Sequence, residues 1–339
     1  RIKLLKRTTA TMAEKQKVCV TGAGGFIASW LIKFLLSRGY TVHGTVRDPC
    51  DEKNDHLKKL DNAPKNLKLF KADLFDYEGL SLAIAGCSGV FHIASPVPFE
   101  GIPLTEEEVI KPALSGTNNV LEACTEAKVK KVVLVSSIAA VVYNPRWPQD
   151  AAKDEGCWSD IQYLYSLEGY WPYYYLAKTL TEREALEWSK RNLADVVTLC
   201  PSVTIGPRLQ SRLNSSSLGL LRFIKGGIKS LLSDQLYLVD VRDVADALLL
   251  VYENPKAKER YICNSHSLYT DSLMEKLKNM YPKRNFPESF TERTEKEVKE
   301  VRLLSSEKLQ NLGWKFRALE ETIEDSVVSF EEAGDLPKP

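Results

Sequence analysis

No apolar run in the sequence approaches the roughly 20 residues that cross a bilayer as a helix, and no cysteine lies in a C-x-x-C pair. The first lack argues against a membrane partner. The second concerns seven cysteines scattered from Cys19 to Cys263. Their odd number and wide spacing argue against a disulfide frame or a metal site, and for reduced thiols in a cytoplasmic setting. An excess of one charge is lacking too. Lys and Arg total 46 against 45 Asp and Glu, a formal net charge of +1, so the electrostatic footprint of a nucleic-acid binder is absent. There is no internal repeat and no low-complexity stretch. What is present is 339 residues at 44% hydrophobic and 27% charged, the composition of an ordinary globular protein with one large domain or two joined ones.

The opening RIKLLKRTTAT is basic and has no acidic residue. It reads either as a transit-peptide fragment or as a remnant ahead of Met12, whose MAEKQKVCV resembles an ordinary start. The second reading is the expectation, and 1–12 is set aside as a leader.

From Lys17 onward apolar strand-like runs alternate with amphipathic helical ones. Strands are expected at VCVTG (18–22), TVHGTV (41–46), NLKLFKAD (66–73), GVFHIAS (89–95), KVVLVSS (131–137) and DVVTLCPS (195–202). Helices are expected at 26–39, near 52–60, from about 105 to 127, and from the YYYLAK segment to about 191. This alternation predicts an α/β fold, a doubly wound parallel Rossmann sheet covered on both faces. Beyond Pro201 the regularity breaks, which predicts a smaller, mixed C-terminal substrate domain. VRDVADALLLVYE (241–253) reads as a helix packing back on the sheet. The expected division is 13–202 and about 236–255 for the dinucleotide domain, with about 203–235 and 256–339 for the substrate domain.

Strand 18–22 runs straight into Gly22-Ala23-Gly24-Gly25-Phe26-Ile27-Ala28. Glycines let the backbone turn tightly against a pyrophosphate, and the helix that follows offers free N–H groups to it. A glycine string alone is weak evidence; after the first strand of an α/β pattern it predicts a nucleotide site. The second strand ends in Val46-Arg47-Asp48-Pro49, with Lys53 six residues on. A carboxylate at this strand tip suits the ribose 2′-hydroxyl of NAD, whereas a cation suits a 2′-phosphate. The expected cofactor is therefore NADPH/NADP+, although Asp48 complicates the sign. Asp73-Leu74, ending the third strand, lies where an adenine would be held, or is a plain strand-end cap.

Tyr174 and Lys178 are four apart on an expected helix and so share a face. An ammonium beside a phenol favours the phenolate and draws its pKa below about 10, which suits a general acid near neutral pH. Ser137 ends a strand at the carboxyl edge of the sheet, where ligands bind. Tyr-x-x-x-Lys alone is common. Here three tyrosines run together, Tyr173, Tyr174 and Tyr175, and only Tyr174 has lysine at the fourth position beyond. Tyr143, Trp171 and Tyr175 are candidates to stack on an aromatic substrate, or simply core.

These motifs resemble the plant group that includes cinnamoyl-CoA reductases, dihydroflavonol reductases and short-chain cinnamyl alcohol dehydrogenases, extended short-chain dehydrogenases. The likeness runs from Val18 to about Phe330, through VTGAGGFIASWLIKFLLSRGYTVHGTVRDP (20–49), KADL (71–74), FHIASPV (91–97), VVLVSSIAAVVYNP (132–145), DEGCWSD (154–160), YYYLAKTLTEREALEW (173–188), PSVTIGP (201–207) and RYIC (260–263). The resemblance implies Ser137, Tyr174 and Lys178 as catalytic residues. It implies cofactor contacts from Gly22, Gly25, Phe26, Ile27, Arg47 and Lys53, and from Asp73, Leu74, Ala94, Ser95, Pro201 and Val203. No metal is expected, and the chain is expected as a monomer or weak homodimer.

Two departures bear on substrate. Cinnamoyl-CoA reductases carry Asn-Trp-Tyr-Cys-Tyr-Gly-Lys around the catalytic tyrosine, where this chain has Trp171-Pro172-Tyr173-Tyr174-Tyr175-Leu176-Ala177-Lys178. They also carry a His-x-x-Lys implicated in gripping coenzyme A, where this chain has Gly219 and Arg222. Both point away from a CoA thioester and towards reduction of a phenylpropanoid or related aromatic aldehyde or ketone, with Arg222 left as a candidate substrate residue. A CoA thioester or a dihydroflavonol-type ketone is the alternative substrate. A sugar-nucleotide epimerase on the same scaffold would hold NAD, against which Arg47 argues. A non-catalytic NADPH-binding protein would not need all three catalytic groups.

Overall fold

The computed structural model describes residues 16–95, 105–148, 150–169, 171–192, 194–225, 235–284, 286 and 303–338. The leader expected over 1–12 lies outside them.

Seven strands form one parallel sheet: β1 (Lys17–Val20), β2 (Thr41–Val46), β3 (Leu67–Lys71), β4 (Gly89–His92), β5 (Lys131–Val135), β6 (Asp195–Pro201) and β9 (Glu259–Cys263). Their order is β3-β2-β1-β4-β5-β6-β9. The central strands are apolar along their length because both faces are covered: Val18, Cys19, Val20, Val132 and Val133 have no exposed surface. The helices in chain order are α1 (Phe26–Ser37), α2 (Asp55–Lys58), α3 (Ala63–Asn66), α4 (Tyr77–Ile84), α5 (Glu106–Glu126), α6 (Ile161–Tyr165), α7 (Trp171–Arg191), α8 (Ser215–Ile224), α9 (Val241–Glu253), α10 (Thr270–Met280), α11 (Glu307–Gln310) and α12 (Leu319–Glu332). One face of the sheet is covered by α1 and α9, through Leu31, Leu35, Val244 and Leu248. The other is covered by α4, α5 and α7, through Leu80, Ile84, Val120, Leu121 and Ala185.

Local chemistry explains several element ends. After α1, Gly39 takes φ +83°, its N–H donating to Leu36 O at 3.1 Å and that of Tyr40 to Leu35 O at 3.0 Å, the closure glycine makes at a helix end. Thr105 and Glu108 cap α5 reciprocally. α4 was not among the expected helices. Asp76 starts it by accepting from Gly79 N at 2.9 Å, and Leu80, Ala83 and Ile84 make its buried stripe.

A second sheet joins β7 (Val203–Ile205), β8 (Gln235–Asp240) and β10 (His266–Tyr269) in the order β10-β8-β7. It shares a core with α8, α10 and α12, built around Phe223, Leu236, Leu273 and Phe330. The chain therefore crosses between the two sheets more often than the expected division allows. β8 belongs to the small sheet, while α9, which follows it without a break, packs on α1. β9 returns to the large sheet, pairing parallel with β6, so the expected boundary at 256 falls before the last Rossmann strand. Among the described residues no helix is long and apolar enough to cross a membrane, and no cluster of His, Cys, Asp and Glu is placed to hold a metal.

A carboxylate lies fully inside this packing. Glu182 on α7 has no exposed surface. It accepts from Ser136 Oγ at 2.8 Å, Thr198 Oγ1 at 2.6 Å and Arg260 Nε at 2.8 Å. Arg260, on β9, also donates to Glu155 O and Cys157 O, each at 2.9 Å, and its guanidinium lies 3.4 Å over the Trp158 ring. Removing one member of a buried pair strands the other charge, at about 3–5 kcal/mol. Glu182→Leu is expected to lower unfolding free energy by about that amount in urea titration, and a loss under about 1 kcal/mol would show that the pair is not structural.

Candidate active site

The strand order reverses between β1 and β4, and ligands of doubly wound sheets bind in the crevice that opens there at the strands' carboxyl ends. A cleft of about 1410 Å³ occupies this position, extending from the glycine turn across to α7, α8 and the small sheet. It exceeds the usual size of a single small-molecule pocket, leaving room for a dinucleotide and a second molecule.

Its first wall is the glycine turn. Gly22 has φ +66°, and a Cβ there would meet Ala94 Cβ at 3.0 Å. Gly22 N donates to Thr45 Oγ1 at 3.2 Å and Ala23 N to Thr45 O at 2.9 Å, fixing the loop to β2. Gly25 is the N-cap of α1, so the first N–H groups of that helix, at Phe26 and Ile27, begin where the turn meets the cleft. Both line it, with Gly22 and Gly25. The β4 end is held by a network that sequence reasoning missed. Thr21 Oγ1 accepts from Ile93 N at 3.0 Å and Ala94 N at 3.1 Å. Its own proton is then left for His92 Nδ1, 2.9 Å away, so His92 donates through Nε2 to Thr117 Oγ1 at 3.2 Å. Burial, then the neighbouring Lys178 charge, pushes the His92 pKa down to about 3. The imidazole is neutral and serves to position Ala94 and Ser95, which also line the cleft.

Arg47 stands exposed at the β2 tip, and Lys53 lies in the short helical turn Glu52–Asn54, its ammonium 2.5 Å from Asp51. Both line the cleft. Asp73 and Leu74 line it too, and Asp73 Oδ1 accepts from Phe75 N at 2.7 Å, so the strand-end cap is present. Pro201 and Val203 complete the floor. A glycine turn without room for side chains, a helix N-terminus and two cations fit a dinucleotide carrying an extra phosphate.

The far wall is α7. Lys178 Nζ donates to Val135 O at 3.1 Å and stands 5.9 Å from the Tyr174 ring centre. Ser137 Oγ accepts from Ala139 N at 3.1 Å, and the Ser137 hydroxyl is near enough to the Tyr174 phenol to pull its pKa down. Of the three successive tyrosines, then, Tyr174 is the one that meets Ser137. Tyr175 stacks on Tyr143, with ring centres 4.3 Å apart, and is near-parallel to Trp171 at 6.3 Å. All three line the cleft as an aromatic wall.

Two expectations need correction. Tyr174 is not drawn below the ordinary phenol range: burial pushes it up to about 12, the Ser137 hydroxyl opposing and Tyr175 adding to the rise. The ammonium that was to lower it is tied to Val135 O, and burial lowers Lys178 itself to about 8 against the opposing pull of Glu182. Arg222 is not among the cleft-lining residues, whereas Gly219 is. Three residues further along a helix advance about 4.5 Å and turn by about 60° from the starting face, which takes Arg222 off the lining. Asn144, Tyr163, Asn214, Ser216 and Tyr237 line the cleft without having been expected. They come from loops, short elements and the small sheet, and no spacing marks them.

The Lys178 value is open to measurement. In proteins labelled with carbon-13 at lysine Cε, the signal absent from Lys178→Arg is expected to titrate near pH 8. A midpoint at the ordinary lysine value, about 10.4, would show that the ammonium is solvated.

Residues 18–264 match the model of the NAD dependent epimerase/dehydratase family. The chain is 41% identical to cinnamoyl-CoA reductase 2 of Medicago truncatula over 332 residues, 98% of this chain and 96% of that one. Among solved structures, vestitone reductase from alfalfa (Medicago sativa) superposes with a TM-score of 0.80 at 33% identity, covering 95% of this chain and 100% of that one. Gre2 from Candida albicans in complex with NADPH superposes with a TM-score of 0.81 at 29% identity, covering 94% and 99%. With a family match over most of its length and a full-length reductase relative, the chain belongs to the NAD dependent epimerase/dehydratase family, on its extended short-chain reductase branch.

Proposed function

We propose that this protein is a reductase that takes NADPH and an aromatic carbonyl, and that it prefers a phenylpropanoid-type aldehyde to a coenzyme A thioester. The observation that carries the reading is the meeting of Ser137, Tyr174 and Lys178 beside the Tyr143–Tyr175–Trp171 wall, in the same cleft as the glycine turn and Arg47. The relatives support the reductase part, since vestitone reductase and the cinnamoyl-CoA reductases bear that activity in their names and Gre2 is solved with NADPH.

When bound, NADPH supplies hydride to the carbonyl carbon. Arg47 and Lys53 would hold its 2′-phosphate, the turn at Gly22 and Gly25 with Phe26 and Ile27 would hold the pyrophosphate, and Asp73 and Leu74 would flank the adenine. Ala94, Ser95, Pro201 and Val203 line the remaining length. Ser137 directs its hydroxyl at the carbonyl oxygen. Tyr174, a phenol with a pKa of about 12, is fully protonated at neutral pH and gives its proton to the developing alkoxide. Lys178, about 8, is mostly cationic at pH 7, is held by Val135 O, and would bind the nicotinamide ribose.

The preference for an aldehyde rests on the α8 side of the cleft. Gly219 lines it without a side-chain donor, and Arg222 does not line it, so neither member of the His-x-x-Lys pair is present to grip a CoA tail. Thioester reduction is the second reading, favoured by the names of the relatives and by Arg212 on the cleft wall.

Tyr174→Phe is expected to reduce turnover ~10²-fold or more, the scale of a lost general acid, with NADPH binding unchanged by fluorescence titration. Full activity in this variant, with the loss moved to Tyr173→Phe or Tyr175→Phe, would reassign the acid. For the substrate, kcat/KM is expected to be higher for coniferaldehyde than for feruloyl-CoA, and Gly219→His is expected to move the ratio towards the thioester. A clear wild-type preference for feruloyl-CoA reverses the assignment.

A further inference from the structure

Asn54 is 1% exposed, yet it lines the cleft beside the glycine turn. Its Nδ2 donates to Asp48 O at 2.8 Å. That bond fixes which way the amide faces, because a flipped amide would set two oxygens against each other. With the nitrogen so engaged, Oδ1 is buried and has no hydrogen-bond partner among the described residues. A native interior leaves few such atoms, and each calls for an explanation.

The position of this oxygen is set by Gly24. A Cβ built on Gly24 would lie 2.4 Å from Asn54 Oδ1 and 3.6 Å from Cγ. Gly24 has no left-handed backbone to explain its glycine; the room it leaves is taken up by the amide oxygen. The segment that carries Asn54 is pinned in place. Asn54 N donates to Asp51 O at 2.9 Å, and the next turn is tied to α1 through His56, whose ring nitrogens contact Lys53 O at 2.9 Å and Ser29 Oγ at 2.8 Å. An acceptor is thus held against the glycine turn at Gly24, one residue beyond Lys53 and in the cleft that Arg47 also lines.

An amide oxygen only accepts. It cannot take a phosphate, whose oxygens are also acceptors, and Arg47 and Lys53 are on hand for that. The donors that a dinucleotide brings to this region are the hydroxyls of its adenosine ribose, and in NADPH the 2′-oxygen carries phosphate, leaving the 3′-hydroxyl. We infer that Asn54 is a cofactor-binding residue whose Oδ1 accepts a hydrogen bond from the 3′-hydroxyl of the adenosine ribose of NADPH, an inference that rests on the cofactor reading given above. Gly24, Asn54 and the two cations then bracket a single sugar: the cations hold its 2′-phosphate and the amide holds the neighbouring hydroxyl.

The test is a binding cycle that needs no turnover. Adenosine 2′,5′-bisphosphate and its 3′-deoxy counterpart are titrated calorimetrically into the wild type and into Asn54→Ala. Wild type is expected to bind the hydroxyl-bearing probe about tenfold more tightly, the scale of one hydrogen bond to an otherwise unpaired buried group, and Asn54→Ala is expected to bind both probes alike. Discrimination that survives in Asn54→Ala overturns the inference, as does a wild type that binds both probes equally. If the variant does not fold, the wild-type side-chain amide resonance of Asn54 takes its place: it is expected to shift with the bisphosphate and not with the 3′-deoxy probe, and equal shifts overturn the inference. Adenosine 5′-monophosphate, bound as tightly as the bisphosphate by both wild type and Arg47→Ala, would overturn the NADPH reading together with it, whereas failure of the 3′-discrimination alone leaves that reading standing.

Discussion

The carboxylate of Glu182 is the joint on which the catalytic wall depends. It lies four residues beyond Lys178 on α7 and takes hydrogen bonds from Ser136 just past β5, from β6 through Thr198 and from β9 through Arg260. Ser136 is the neighbour of Ser137, so the same charge that ties α7 to the sheet fixes the strand end that presents Ser137 to Tyr174. Arg260 carries the tie outward to the backbone at Glu155 and Cys157, in the chain leading back from the Tyr143 side of the cleft. A buried ion pair seldom adds net stability over well-packed apolar residues. What it adds here is direction, because each bond has one geometry and a methyl contact has many.

The opposite wall solves a different problem, how to bring a backbone close to a ligand. It does so by leaving side chains out, at Gly22 against Ala94 and at Gly24 against Asn54, and by holding the β4 end with the neutral His92 network. The two walls meet electrostatically at Lys178. Its charge helps keep His92 neutral, and its own pKa falls because burial outweighs the pull of Glu182. The result is a phenol that keeps its proton at neutral pH, loaded but a weaker acid than a solvated tyrosine, near an ammonium close to its titration point.

Much of the sheet was legible because a strand covered on both faces must be apolar throughout, and the runs at Val18, Val132 and Val196 are. The glycine turn was legible because its position after the first strand restricts what it can be. α4 went unread although Asp76 and the Leu80, Ala83, Ile84 stripe carry the signal, since the element is only eight residues long. β9 was unread as a strand, and the boundary drawn at 256 failed, because sequence order does not say which sheet a returning strand will join. The aromatic wall was readable as a set of aromatic residues, but the same residues would have served as ordinary core.

By itself, then, the sequence determined the alternation of elements, the pairing of Tyr174 with the single lysine four positions beyond it, and the cations Arg47 and Lys53 that follow β2. These are local matters, settled by periodicity and spacing along the chain. Tertiary structure alone decided the pKa of Tyr174, the burial of Glu182 with Arg260, and the unpaired oxygen of Asn54 at Gly24. Each depends on which groups from distant parts of the chain exclude water from one another. Desolvation and close approach are properties of the packed interior and leave no mark in residue spacing.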